Sequence, residues 1–570
     1  MIFKFIDRLN IGVNNLDLEA LEYSTTPYSI LLYQHKGDFT ATAQCFQNSN
    51  QTEVQNKFKA FFKLAKDNDV SVAMTPEYSC PWSVLSELIS TPTLHPASRK
   101  LFAIGCESIN KDLLRSFKST HTSDEVVIYF DETLLTANGN FFDPLCYLFK
   151  CDNKLFVLIQ FKTEHMGVWT NDLEKNNYIK GNEIYVLRNN ENSIYLFSLI
   201  CSEAMNFSTH VNIDSLLENK WRDNPYIILN PQLNPKPNSP EFKRFREKIL
   251  DYSLKDLICL NWAKGTTLAL SPLIAKFSRS GIHIKTHHID FNSDAKFINN
   301  HAKGLYYLNN KNEKHSLYLS SKELIYLIQC QKPILSGLPN AQLRKTEPEV
   351  RKLFGWNNLD IIPIESVNDG FTELLNRQSC TSAYLRDSNV CFVDKERLIN
   401  LCNGKIDSIG SKWHLIINLY SFEEDENWII KRATFIEDEE GESERLNQLK
   451  AIEYLNTHLI NRGDDFPPIL NTFKGKLIDE VKFEATPTYL HNLICGIDKA
   501  TVAYIGEKSE GYANKALSDI KNIFQDPSLS RIVVWRKTSM TENTFSCVSS
   551  HYPSISDTSA YSTNSINKEG

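Results

Sequence analysis

The sequence has no Cys-x-x-Cys pair, no apolar run approaching a membrane span and no excess of basic charge. Its thirteen cysteines are scattered over 570 residues. Without a paired spacing they argue against a zinc ribbon or a thioredoxin-type redox motif, and scattered thiols suit a reducing cytosol. A bilayer-spanning helix needs about 20 apolar residues, and no run comes close, so no membrane partner is expected. The stretch Met1-Ile-Phe-Lys-Phe-Ile-Asp-Arg8 meets charge too early for a signal peptide, and a cytoplasmic location is expected. A net charge of -7 argues against general nucleic-acid binding through the phosphate backbone. The loop Gly506-Glu-Lys-Ser-Glu-Gly511 lacks the Gly-Lys-Ser/Thr ending of a nucleotide phosphate loop and reads as an ordinary βα turn. His287-His288 does not by itself make a metal site.

What is present is an ordinary globular composition, 42% hydrophobic and 23% charged, in a chain too long for one core. Strand-like and helix-like segments alternate over residues 29–320. Ser29–Tyr33 reads as a strand. Thr52–Asp67 reads as an amphipathic helix with Thr52 as its cap. Further strands are expected at 69–77, 100–109, 125–130, 144–149, 154–162, 184–187, 194–201, 225–231 and 257–262, with helices at 85–90, 214–220 and 240–254. Residues 1–26 read as an irregular packing segment, and Ser316–Ser320 as the last strand of this domain. Such alternation implies layered α/β architecture.

The Pro- and Gly-containing stretch Gln331–Asn340 marks a boundary. The expected domains are 1–335, a C-terminal α/β or α+β domain at 336–536, and a disordered, Ser/Thr-rich tail at 537–570. Within the C-terminal domain, His414–Tyr420 and Trp428–Ile436 read as strands and Ser443–Leu459 as a helix. Residues 437–442 read as a solvated acidic loop. Thr501–Gly506, Ala513–Phe524 and Arg531–Trp535 form a second βαβ-like unit.

Chemistry collects at strand ends, where open α/β sheets build their sites. The run Ile194-Tyr-Leu-Phe-Ser-Leu-Ile-Cys201 ends in a thiol, the strand at 69–77 in Pro-Glu77, and the strand at 154–162 in Lys162. A thiol needs a base to become a nucleophile. A buried carboxylate can take that proton, and a fixed ammonium can stabilise an oxyanion. Glu77 is then the base, Lys162 the oxyanion stabiliser and Cys201 the nucleophile. The bland alternatives are a buried structural cysteine, a salt-bridged carboxylate and a solvated lysine.

These residues, in this order, resemble the carbon–nitrogen hydrolase (nitrilase) superfamily over residues ~29–320. The resembling motifs are Pro-Glu77, Phe161-Lys162-Thr-Glu-His165 and Leu199-Ile-Cys201-Ser-Glu203 with Phe207. The resemblance implies a four-layer α-β-β-α sandwich and a Glu-Lys-Cys triad acting on non-peptide C–N bonds, amides before nitriles, without metal or organic cofactor. It also implies an assisting Glu174 and a homodimer or higher homo-oligomer. Glu203, Tyr78 and Asn230 are candidate substrate-binding residues. Ser202 after the nucleophile, and the missing Pro after Phe207, mark a divergent branch. A divergent member could instead be a ligand-binding or signalling module with little turnover, for instance in a bacterial anti-phage system, with a protein partner held by the C-terminal domain.

Overall fold

The computed structural model describes all residues except 166–171, 211, 269–276, 287–293, 311–312, 335–345, 407–409, 423–431, 433, 435–440, 461–465, 527–529, 539–543 and 551–570. The chain divides into two compact units, Met1–Val367 and Asn368–Gly570.

The first unit is built on two large sheets. One is nine-stranded, in the order Asp360–Ile364, Glu349–Asn357, Leu324–Cys330, Tyr28–Gln34, Val72–Met74, Leu101–Gly105, Pro144–Cys151, Lys154–Phe161, Val126–Tyr129. The other runs Ile2–Phe5, Glu183–Arg188, Tyr195–Ser198, Tyr226–Pro231, Lys255–Leu260, Gly281–Lys285, Lys314–Leu319, Leu305–Asn310. Its central strands Tyr195–Ser198, Tyr226–Pro231 and Lys255–Leu260 are parallel. Strands covered on both faces read as continuous apolar runs, and Lys154–Phe161 is buried at every residue but its first.

Helices Gln51–Asp67, Trp82–Ser90 and Lys111–His121 bury their apolar faces on the first sheet. Helix Pro240–Ile249 packs on the second sheet, against Lys255–Leu260, and helix Glu203–Thr209 packs on that helix. The sheets meet each other between these helical layers, which gives the four-layer α-β-β-α order. Gln160 ties the two sheets where they meet: its side chain donates to Ser198 O at 3.1 Å and accepts from the Tyr185 N–H at 3.1 Å. A buried amide satisfied on both sides fixes the stacking register as apolar contact alone does not.

Several expectations shift. Residues 1–26 include Ile2–Phe5, a strand pairing in parallel with Glu183–Arg188. The cap of the first long helix is Asn50, whose side chain accepts from Glu53 N, two residues earlier than Thr52. Ser316–Ser320 is not the last strand of the first unit. Leu324–Cys330 pairs with Tyr28–Gln34, and the hairpin Glu349–Asn357 and Asp360–Ile364 extends the same sheet, so the unit runs to Val367 instead of 335.

In the second unit, a four-stranded sheet runs Leu493–Cys495, Asp498–Tyr504, Ile532–Lys537, Phe545–Ser549. Helix Glu510–Lys521 crosses between the parallel strands Asp498–Tyr504 and Ile532–Lys537, as the βαβ pattern indicates. Helical turns cover 442–459. Residues 416–419 are helical, not a strand: that segment is buried at Ile416 and Leu419, a helical spacing. Phe545–Ser549 pairs antiparallel with Ile532–Lys537, so the expected disordered tail holds an ordered strand. Most of 428–436, all of 437–440, His287-His288 and 551–570 lie outside the described residues.

Candidate active site

Lys162 follows the last residue of strand Lys154–Phe161, and Glu77 follows Val72–Met74 by a short turn. Both strands belong to the nine-stranded sheet. Cys201 and Glu203 follow Tyr195–Ser198 of the other sheet. Strand ends from the two stacked sheets therefore meet at one place.

Two glycines make that approach possible. A Cβ on Gly105 would lie 2.0 Å from Pro76 O, and one on Gly181 would lie 2.0 Å from Phe161 O. Any other residue would push away the backbone that carries Glu77 or Lys162.

The Lys162 ammonium is fully buried. Its Nζ lies 2.6 Å from Glu77 Oε1, 2.8 Å from Glu174 Oε1 and 3.3 Å from Asp143 Oδ2. Burial pushes its pKa down, but Glu174, Glu77 and Asp143 together hold it well above the ordinary lysine value. The three carboxylates converge as metal ligands do, yet the place between them is filled by this ammonium.

Each acid has its own setting. Glu77 Oε2 accepts the Leu233 N–H at 2.5 Å, and Trp262 Nε1 donates to the Glu77 main-chain oxygen at 2.8 Å. Glu174 Oε1 accepts the Tyr78 hydroxyl at 2.9 Å. Among the described residues, Asp143 receives no hydrogen bond on either carboxyl oxygen. Its main-chain oxygen accepts Lys162 N–H at 2.9 Å.

Cys201 sits at φ 42°, a left-handed backbone that costs a non-glycine residue about 1–2 kcal/mol. It is held there by Cys201 N–H to Pro231 O at 2.9 Å and Ala204 N–H to Cys201 O at 3.1 Å. Strain maintained by surrounding bonds is characteristic of functional positions. The thiol is 2% exposed. Burial, then the adjacent Glu77 carboxylate within hydrogen-bonding reach, push its pKa well up, while Lys162 acts to lower it.

Glu203 is buried and bridges the segments that carry Lys162 and Cys201. One carboxyl oxygen accepts Thr163 N–H and the other Ile200 N–H, each at 2.6 Å. Burial pushes its pKa up to about 7 against these hydrogen bonds. Asn230 donates to Leu199 O at 2.5 Å and accepts from Gln232, which links the strand end before Cys201 to the neighbouring strand. Tyr78, at φ 56°, spends its hydroxyl on Glu174.

The structure thus brings Glu77, Lys162, Glu174 and Tyr78 into one bonded cluster facing Cys201, and places Glu203 and Asn230 behind the backbone of the thiol. Asp143 escaped the sequence reading. It precedes Pro144 at the start of a strand, which reads as a turn residue, and its partner Lys162 lies across a strand pair that only the fold reveals.

No protein-family model and no curated protein matches the chain. Solved structures do. An amidase from Nesterenkonia sp. aligns at 12% identity over 46% of this chain and 84% of its own, with a TM-score of 0.26. A cysteine-to-alanine mutant of the Nesterenkonia AN1 amidase from the nitrilase superfamily aligns at 13% identity over 46% and 84%, with a TM-score of 0.25. A glutamate-to-glutamine mutant of that amidase, with the acetamide moiety of fluoroacetamide covalently added at the active-site cysteine, aligns at 12% identity over 46% and 84%, with a TM-score of 0.27.

Proposed function

We propose that the first unit is a nitrilase-like carbon–nitrogen hydrolase that cleaves small amides through Cys201. The observation that supports this best is the arrangement of Lys162, held by Glu77 at 2.6 Å and Glu174 at 2.8 Å, beside a thiol kept in strained backbone against Glu77.

The chemistry follows from these positions. Cys201 Sγ attacks the carbonyl carbon as its proton passes to Glu77. The carbonyl oxygen becomes an oxyanion and takes an N–H of Lys162. Collapse breaks the C–N bond, the leaving amine or ammonia takes the proton from Glu77, and a thioester remains. Glu77 then deprotonates a water that attacks the thioester. The C–S bond breaks, and the thiolate regains its proton from Glu77. Glu174, with the Tyr78 hydroxyl on it, holds Lys162 in place throughout. A raised thiol pKa suits this scheme: the proton leaves as the S–C bond forms, so no resting thiolate is needed.

The test is ammonia release from a panel of small amides and nitriles, with intact-mass detection of an acyl adduct. Amide turnover and an adduct mapped to Cys201, both lost in Cys201→Ala, support the reading. An adduct that survives Cys201→Ala refutes it. Burial of the thiol favours a second reading, ligand recognition with little turnover; tight binding of an amide without product or adduct would select it. The homodimer that the family resemblance implies is tested by light scattering, and a cytoplasmic location by fractionation.

A further inference from the structure

Resting on that catalytic reading, we propose that Asp143 is a positioning residue that stays a neutral carboxylic acid in the resting site, and so leaves one Lys162 N–H free for the oxyanion.

The geometry supplies the reasons. A lysine ammonium has three N–H donors. Glu77 and Glu174 take two of them, at 2.6 and 2.8 Å. Asp143 stands farther off, at 3.3 Å. If Asp143 were a carboxylate it would claim the third donor, and the oxyanion of the tetrahedral intermediate would have to compete with it.

Charge counting points the same way. Glu77, Asp143 and Glu174 have carboxylate oxygens within 4.8 Å of one another, all three side chains are buried, and one ammonium sits among them. Full ionisation would leave two uncompensated charges in a dry site, and like-charged carboxylates in such a space hold a shared proton. The proton belongs on the acid with the fewest compensating bonds. Glu77 has the Leu233 N–H and Glu174 the Tyr78 hydroxyl, whereas neither Asp143 carboxyl oxygen receives a hydrogen bond among the described residues. The charged and titratable groups facing Asp143 are Glu77, Lys162, Glu174 and the Tyr78 hydroxyl. Burial, then Glu77, raise its pKa well above the ordinary aspartate value, with Lys162 opposing.

The consequence concerns the reaction. The extra negative charge of the oxyanion enters a site from which one negative charge has been withheld. When Asp143 loses its proton at alkaline pH, the third donor is captured and formation of the tetrahedral intermediate slows.

Two measurements test this. Infrared spectra of the full chain with 13C-labelled aspartate should show an isotope-shifted, protonated carboxyl band at pH 7, absent in Asp143→Asn. No protonated aspartate band in the wild type at pH 7 overturns the proposal without recourse to any variant. The second is the pH profile of Cys201 alkylation by iodoacetamide. Asp143→Asn, a neutral isostere, should match the wild type within about twofold at pH 7, and the two rates should diverge at alkaline pH, where only the wild type gains a negative charge beside the thiol. A rate about tenfold or more above wild type at pH 7, the effect of deleting a resting charge worth one pKa unit, overturns the proposal. Neither readout requires amide turnover. If the infrared band is present while Cys201 is inert, the catalytic reading falls and the protonation of Asp143 stands.

Discussion

Glu203→Gln separates a titrating clamp from an inert one. Glu203 joins the turn after Lys162 to the turn before Cys201 through Thr163 N–H and Ile200 N–H. Its pKa lies at about 7 in the fold against an ordinary 4.5. A carboxyl group whose folded pKa is raised favours folding fully only below its unfolded pKa. That contribution is lost as pH rises through the folded value, and is gone above it. The gap of roughly 2.5 units, at about 1.4 kcal/mol per unit, is worth about 3 kcal/mol. Glutamine does not titrate. The stability of the wild type relative to Glu203→Gln should therefore fall by about 3 kcal/mol between pH 4.5 and pH 7 and stay level beyond. Other groups titrate in both proteins and cancel in the difference. The assay is urea unfolding at pH 5, 6, 7 and 8, followed by hydrogen exchange of first-unit peptides. Parallel pH curves, or a wild-type advantage that grows with pH, would refute the reasoning.

Three further outcomes are expected. Lys162→Met should cost about 3–5 kcal/mol at neutral pH by stranding buried carboxylates; an unchanged midpoint in denaturant unfolding would contradict this. Gly181→Ala, whose new Cβ would press on Phe161 O, should cost about 1–3 kcal/mol and slow Cys201 alkylation; an unchanged melting temperature and alkylation rate would deny that close approach. Cys201→Gly should be more stable than Cys201→Ala by about 1 kcal/mol, since only glycine adopts the left-handed backbone without strain; equal midpoints would show that the turn relaxes.

The strands that carry Glu77, Lys162 and Cys201 were legible because each is an apolar run broken by one polar residue, and burial on both faces leaves little alternative. Their chain order carried the family resemblance and the four-layer arrangement with it. Asp143 was hidden because its role comes from a partner across a strand pair and from the absence of hydrogen bonds, neither of which leaves a local signature. Glu203 reads as a pocket residue because it stands two residues after the nucleophile, and Asn230 because it lies near the end of the next expected strand, 225–231. In the fold their side chains bond backbone behind it. The hairpin Glu349–Asn357 and Asp360–Ile364 was missed because a turn-rich stretch precedes it, and punctuation in sequence does not say which sheet the next strand joins. Residues 416–419 illustrate the ambiguity of short apolar runs, which suit strand and helix alike.

The most direct test of the proposed hydrolytic centre is the alkylation rate of each of the thirteen cysteines, resolved by peptide mass spectrometry from pH 6 to 9, in wild type, Glu77→Gln and Lys162→Ala. Cys201 should react faster than the other thiols below pH 8 and slow by about 100-fold or more in Glu77→Gln, the scale of general-base assistance, with a loss in Lys162→Ala as well. A Cys201 that reacts no faster than the buried core thiols, at a rate neither substitution changes, would contradict the assignment of Glu77, Lys162 and Cys201 to one catalytic site.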